Sequence, residues 1–289
     1  DIRRGFLKKY NLNDNIKHII NYKPKFLYDI DLKRRNFKIK NFNYIDQIPI
    51  INKSKKVVGL LTRSDTSSKK FIDNDFVIMA GGKGTRLLPL TRDIPKPMLK
   101  INGKPILETI VESASNKGFI NFHISINYLK NIIKEYFSLK KNFNVNINYI
   151  EEKKPMGTAG CLKLLRHSKK PMVLVNGDVL CDIDYKSLID FHEKNNSFAT
   201  MVVKSKISTY PFGVAENSGY KLKNIIEKPQ LNFNVNAGIY VLNHGVKKFI
   251  KKNFFDMTDL FQNLIKSKKR VFIYPIFENW EDISDRFGK

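Results

Sequence analysis

Cysteine is scarce, with two in 289 residues (Cys161 and Cys181), and the five histidines are scattered. That excludes a disulfide framework and a Cys/His zinc site, and fits a reducing compartment. Long apolar runs are missing too. They stop after about five residues, as in VVGLL at 57–61 and FVIMA at 76–80, whereas a membrane span needs ~20. The chain therefore reads as soluble, with no membrane partner. The first residue is Asp and no signal peptide is legible, which points to the cytoplasm. Acid is in deficit, with 27 Asp plus Glu against 52 Lys plus Arg, a formal net charge of +25. Such an excess suits a polyanionic partner. The basic residues are nevertheless spread along the whole length, and no basic-and-aromatic stacking motif stands out. Nucleic acid is not the expected partner, and the field suits phosphorylated small molecules. What is present, 42% hydrophobic and 12% aromatic residues, is enough to bury a core. The length suits about two domains at ~150 residues each.

Residues 47–65, QIPIINKSKKVVGLLTRSD, place two β-branched runs around the polar turn NKSKK, which predicts a strand pair. SDTSSKK at 64–70 reads as a linker. Beyond it, strand and helix patterns alternate. FVIM at 76–79 predicts a buried strand followed by a Gly-rich loop. Between Pro105 and Lys117, residues Ile106, Leu107, Ile110, Val111 and Ala114 share one helical face, with Gly118 just past the end. Further strands are predicted at 122–126, 145–150, 172–176, 198–203, 235–242 and 270–276, and a helical stripe at 129–137. This is the pattern of an α/β domain with a largely parallel sheet, whose ligands bind at the carboxyl ends of the strands.

The loop after the first of these strands, AGGKGTRLLPLTRDIPKPML at 80–99, is not a P-loop, because Lys83 is followed by Gly84 rather than Ser or Thr. Nor is it a dinucleotide fingerprint, because Leu87 stands where the third glycine belongs. Gly81, Gly82 and Gly84 permit a sharp turn whose N–H groups approach a nucleotide closely. Arg86 offers a bidentate fork for phosphate oxygens, and Lys96, between Pro95 and Pro97, a second fixed positive charge.

Ala80-Gly81-Gly82-Lys83-Gly84-Thr85-Arg86, Pro95-Lys96-Pro97 and Asn102-Gly103-Lys104-Pro105 are followed by Pro155-Met156-Gly157-Thr158-Ala159-Gly160 and Asn176-Gly177-Asp178. Glu227-Lys228-Pro229, Asn236-Ala237-Gly238 and Trp280-Glu281-Asp282-Ile283 complete the series. In this order, over residues 76–284, they resemble the nucleotidyltransferases that make nucleotide-sugars from a sugar 1-phosphate and a nucleoside triphosphate. The resemblance implies a Rossmann-like nucleotide-diphospho-sugar transferase fold with a mixed, mostly parallel sheet. It also implies in-line attack of the sugar phosphate oxygen on the α-phosphorus, with pyrophosphate leaving. Such chemistry needs positioning and charge neutralisation rather than a protein nucleophile, and nothing in the chain looks like a Ser-His-Asp or Cys-His arrangement. By the family pattern, Asp178 and Asp282 would hold Mg2+. Arg86 would bind the outer phosphates and Lys96 would approach the α-phosphate, with Asp178 completing the catalytic set. Ala80, Gly81, Gly82, Gly84 and Thr85 would contact the nucleotide, with Gly157 and Thr158 by the base. Glu227, Lys228, Asn236 and Gly238 would take the sugar and its phosphate.

The DIRR opening and the Thr62-Arg63-Ser64-Asp65 ending resemble the close of cystathionine-β-synthase-type (CBS) repeats. The expected organisation is a partial CBS α+β segment over 1–66, a linker over 67–74 and a nucleotidyltransferase domain over 75–289. Thr62 and Asp65 would bind an adenosine nucleotide as effector, and a structural β-hairpin with a capping Asp is the alternative. CBS-headed relatives include guanylyltransferases, and Thr158-Ala159-Gly160 leans toward the mannose- and glucosamine-phosphate branch. That favours GTP with a hexosamine or mannose 1-phosphate, for surface-glycan biosynthesis. A UTP-, dTTP- or CTP-using homologue, and a nucleotide sensor without catalysis, remain as alternatives. The ending Asp282-Ile283-Ser284 departs from the more usual Asp-Ile-Gly. A homo-oligomer is a further expected partner, and any C-terminal helix common to relatives, absent or missing here, would take a dimer contact with it.

Overall fold

The computed structural model describes residues 5, 10, 14–32, 47–62, 71–140, 145–166 and 168–287. The chain divides into two compact units, Asp1–Phe71 and Ile72–Lys289. In the first, β1 (Leu27–Tyr28) runs parallel to β2 (Gln47–Ile51), and β2 pairs antiparallel with β3 (Val57–Thr62). The expected strand pair is this hairpin, with Gln47 opposite Thr62. Asn52 closes its turn, accepting from Lys55 N through its carbonyl (2.9 Å) and from Lys56 N through its side chain (3.0 Å). Asp65, Asp1 and the 64–70 stretch lie outside the described residues.

The second unit is built on a seven-stranded sheet. In chain order its strands are β4 (Phe76–Met79), β7 (Asn121–Ile126), β8 (Asn146–Glu151), β9 (Met172–Asn176), β11 (Ala199–Thr209), β14 (Gln230–Leu242) and β15 (Val271–Ile276). Small two-stranded pairs come from β5 (Lys100–Ile101) with β6 (Lys104–Pro105), β10 (Val179–Cys181) with β16 (Trp280–Asp282), and β12 (Val214–Ser218) with β13 (Lys221–Ile226). The helices are α1 (Ile106–Asn116), α2 (Lys130–Leu139), α3 (Gly157–Gly160), α4 (Tyr185–Lys194), α5 (Met257–Lys266) and α6 (Ile283–Phe287). The sheet order is β15-β11-β14-β9-β4-β7-β8, and every neighbour is parallel except β14, which runs against both β11 and β9.

The two-residue alternation of a strand sends side chains to opposite faces, and β4 uses both. Phe76 and Ile78 pack with Ile106 and Leu107 of α1, Ile133 of α2 and Leu188 of α4. Val77 joins Leu174, Leu162 and α5's Leu260 and Leu264. The result is a three-layer sandwich, which is why the buried strands read as continuous apolar runs. The chain leaves β4 outward to β7 and β8, then returns to β9 on the other side of β4. That reversal opens a crevice beyond the carboxyl ends of β4 and β9.

Two features exceed the sequence expectation. β11 and β14 run past their apolar segments to pair as far as Thr209 with Gln230, and the outer part of this ribbon is exposed on both faces. β10 and β16 are three residues each, too short for a periodic signal.

Candidate functional site

The loop leaving β4 begins with Ala80, whose N–H bonds the Ser125 carbonyl at 3.0 Å. Gly84 takes φ +65, and a Cβ there would sit 3.0 Å from both Lys96 Cβ and Thr91 Cγ2, so glycine answers a conformational and a steric demand together. The fully buried Thr91 ties the turn down by donating from its hydroxyl to the Gly84 carbonyl at 2.8 Å. The next turn carries Thr85 and Arg86 outward. Arg86 is exposed and has no partner among the described residues.

Lys96 opens a 3-10 turn held by Pro95 and the buried Pro97. Its ammonium reaches across the crevice to Asp178 Oδ2 and also donates to Ser284 Oγ at 2.5 Å. Asp178 follows β9 through Gly177, whose N–H bonds the Met79 carbonyl at 2.9 Å and so draws the ends of β4 and β9 together. The β10–β16 ribbon then pairs Val179 with Asp282, and Ile283 N bonds the Asp178 carbonyl at 3.0 Å. Residues 103 and 105 positions apart in the chain therefore meet at one ribbon. Asp282 Oδ1 accepts from Ser284 N at 2.8 Å.

On the other wall, Gly157 and Thr158 open α3. The Thr158 hydroxyl accepts from Met257 N at 2.7 Å and donates to Asp256 Oδ1 at 3.3 Å, so this side chain ties α3 to α5. Ala80, Gly81, Gly82, Gly84, Thr85, Arg86, Lys96, Gly157, Thr158, Asp178 and Asp282 all line one cleft of about 460 Å³.

The four residues expected to take the sugar stand differently. Asn236 spends its amide locally, donating to Tyr240 Oη (2.7 Å) and accepting from Gly238 N (3.0 Å). Gly238 lies against the Asn176 side chain, which does line the cleft. Glu227 and Lys228 are exposed, on the turn between β13 and β14, and are not part of the cleft lining.

Sequence reasoning passed over three residues of this cleft. Glu152, one residue past the end of β8, is a carboxylate only 8% exposed. It accepts from Ser125 Oγ at 2.5 Å and from Met156 N at 2.9 Å, and its Oε1 lies 2.9 Å from where a Cβ on Gly81 would be. The signal was an acid immediately before the KKPMGTAG loop. Asn176 Oδ1 is buried and has no hydrogen-bond partner among the described residues, although its motif was noted. Ser284 was noted only as a departure from a pattern. The cysteines stay apart from this chemistry. Burial and the neighbouring Glu152 charge push the Cys161 thiol up to about 12, and burial pushes Cys181 up to about 11.

The family model described as "Nucleotidyl transferase" matches residues 76–285. The mannose-1-phosphate guanyltransferase of Yarrowia lipolytica is 37% identical over 185 residues, 60% of this chain and 50% of that protein. The Saccharomyces cerevisiae protein of the same name is 29% identical over 217 residues, 72% and 60% of the two chains. The chain thus spans about half the length of the curated relatives it matches. Among solved structures, HddC from Yersinia pseudotuberculosis complexed with GMP-PN superposes with a TM-score of 0.59 and 26% identity, covering 75% of this chain and 94% of that one. The mixed, mostly parallel sheet is therefore that of the nucleotide-diphospho-sugar transferases.

Proposed function

Because this chain belongs to the nucleotidyl transferase family, we propose that it moves a nucleoside monophosphate from GTP to a sugar 1-phosphate, releasing pyrophosphate. A hexosamine or mannose 1-phosphate is the favoured acceptor. The observation that carries the reading is the convergence of Arg86, Lys96, Asp178, Asp282 and Glu152 on one cleft.

The base preference rests on Glu152. A carboxylate has about four lone-pair sites, and Ser125 and Met156 use two of them. The remainder is acceptor-only, which matches guanine's adjacent N1–H and N2–H2 donors. Uracil and thymine set a single N–H between two carbonyls, and adenine and cytosine place an acceptor beside their amino group. Each would leave a buried charge against an acceptor, an outcome that costs more than the bond is worth.

The phosphates fall to the cations. Arg86, free of protein partners among the described residues, grips the outer phosphates and the departing pyrophosphate. Lys96 neutralises charge gathering at the α-phosphate, where preorganised donors act most strongly. The sugar phosphate oxygen attacks the α-phosphorus in line, the bond to the β-phosphate oxygen breaks, and no protein group is covalently altered. Asn176 Oδ1, a buried acceptor without a donor among the described residues, suits a sugar hydroxyl, while Glu227, Lys228, Asn236 and Gly238 complete the sugar side. Asp178 and Asp282 fit Mg2+, which takes one or two carboxylates and fills its shell with water and phosphate oxygens. When bound it would offset the negative charge of the phosphates.

Residues 1–66 are assigned to a partial CBS segment and 67–74 to the linker, with Thr62 and Asp65 as an adenosine-nucleotide contact. The protein is assigned to the cytoplasm. Among the described residues no helix is long and apolar enough to cross a membrane.

The test is pyrophosphate release with magnesium, across the four triphosphates and a series of hexose and hexosamine 1-phosphates. Turnover with GTP and one sugar phosphate is expected. Turnover with UTP, dTTP or CTP instead would overturn the base assignment. Binding of triphosphates with silence across the grid would favour a sensor.

A further inference from the structure

Ser284 stands at the second residue of α6, where it meets the cleft. Its two polar ends do different work. The backbone N–H donates to Asp282 Oδ1 at 2.8 Å, and the hydroxyl oxygen accepts from Lys96 Nζ at 2.5 Å. Lys96 in turn contacts Asp178 Oδ2. One unbroken line of hydrogen bonds therefore runs Asp282, Ser284, Lys96, Asp178, and Ser284 is its only uncharged side chain.

An ammonium has three N–H donors and rotates freely unless held. The proline-bounded turn fixes the Lys96 backbone, but four side-chain torsions remain. Asp178 alone gives one anchor point, about which the head group can still pivot. A second acceptor removes that freedom and leaves one N–H with a single direction. We propose that Ser284 is a positioning residue that holds the Lys96 ammonium in its reactive orientation. Its hydroxyl does this without adding charge, so it does not compete with Asp178 for the cation. The proposal rests on the reading of the cleft as a nucleotidyl-transfer site.

Ser284→Ala keeps the backbone bond to Asp282 and deletes only the hydroxyl. Loss of a hydrogen bond to a charged group predicts kcat lower by about 10- to 100-fold, with KM for both substrates within about twofold. Ser284→Thr restores the hydroxyl and recovers kcat to within about threefold of the parent. A purely structural serine would instead lower the melting temperature of the Ala variant and leave kcat in place. The same variants are crystallised, and the Ala structure is expected to show Lys96 Nζ displaced or in several rotamers. Unchanged kcat in Ser284→Ala, a loss that Thr does not restore, or Lys96 Nζ unmoved in the Ala crystal would each overturn the proposal. If the parent protein is silent with every substrate, the functional reading fails, while the Lys96 position still decides whether Ser284 orients it.

Discussion

Just before β4, at its amino end, Asp75 sits between two imidazoles, with Oδ1 3.2 Å from His123 Nε2 and Oδ2 3.6 Å from His244 Nε2. Its backbone carbonyl accepts from Val173 N at 2.9 Å. Those histidine contacts hold its carboxyl well below the usual carboxylate range. Beyond the carboxyl end, Asp178 is also a partly buried acid with a cationic neighbour, yet that neighbour, Lys96, borders an open cleft beside the exposed Arg86. Both acids are about equally shielded, 21% and 23% exposed. Burial does not separate them, and their partners do. A carboxylate clasped between ring nitrogens on two sides is committed to cohesion. One paired to a single cation at an open cleft wall keeps capacity for a ligand.

The contrast makes graded predictions. Asp178→Asn should lower kcat by about 10³-fold or more while the thermal melt barely moves. Normal magnesium-dependent pyrophosphate release in that variant would erase the distinction between the two ends. Glu152→Gln should cost about 100-fold in kcat/KM for GTP and narrow the gap to UTP, measured in the same assay. Asp75→Asn should do the reverse of Asp178→Asn, losing about 1–3 kcal/mol in urea unfolding with kcat unchanged.

The sign of the pH dependence follows from the depressed Asp75 carboxyl. Its contribution is fully present above the unfolded pKa of ~3.9 and is lost as pH falls toward the folded value. The difference in urea midpoint between the parent and Asp75→Asn should therefore hold near neutrality and shrink below about pH 4. The smallest effect concerns the thiols. With Cys161 pushed up to about 12 and Cys181 up to about 11, iodoacetamide at pH 7.5 should react slowly and leave activity intact, whichever end is probed.

Much of this was readable along the chain, for specific reasons. β4 and β9 are buried on both faces, so FVIM and MVLVN stand out as apolar runs, FHISI of β7 shows itself by alternation, and α1 declares itself by one apolar face and Gly118 beyond it. The outer β11–β14 ribbon and β12–β13 are exposed on both faces and leave no such pattern. In the cleft, glycines and cations with a backbone duty are legible because the turn dictates them. Glu152 was not, because in sequence it is one acid beside another, Glu151.

The order of strands and helices, the Gly-rich loop after β4 and the acids and cations available for phosphate chemistry were determined by the sequence itself, because they follow from local periodicity and backbone preference. Which charges meet was decided only by the tertiary structure. Lys96 reaches Asp178 and Ser284 across separations of 82 and 188 residues, and Glu151 pairs outward with Lys130 while Glu152 turns inward to Ser125. Neighbouring residues of a strand face opposite sides, so a one-residue difference that is nothing in composition separates a solvated ion pair from the buried carboxylate of the cleft.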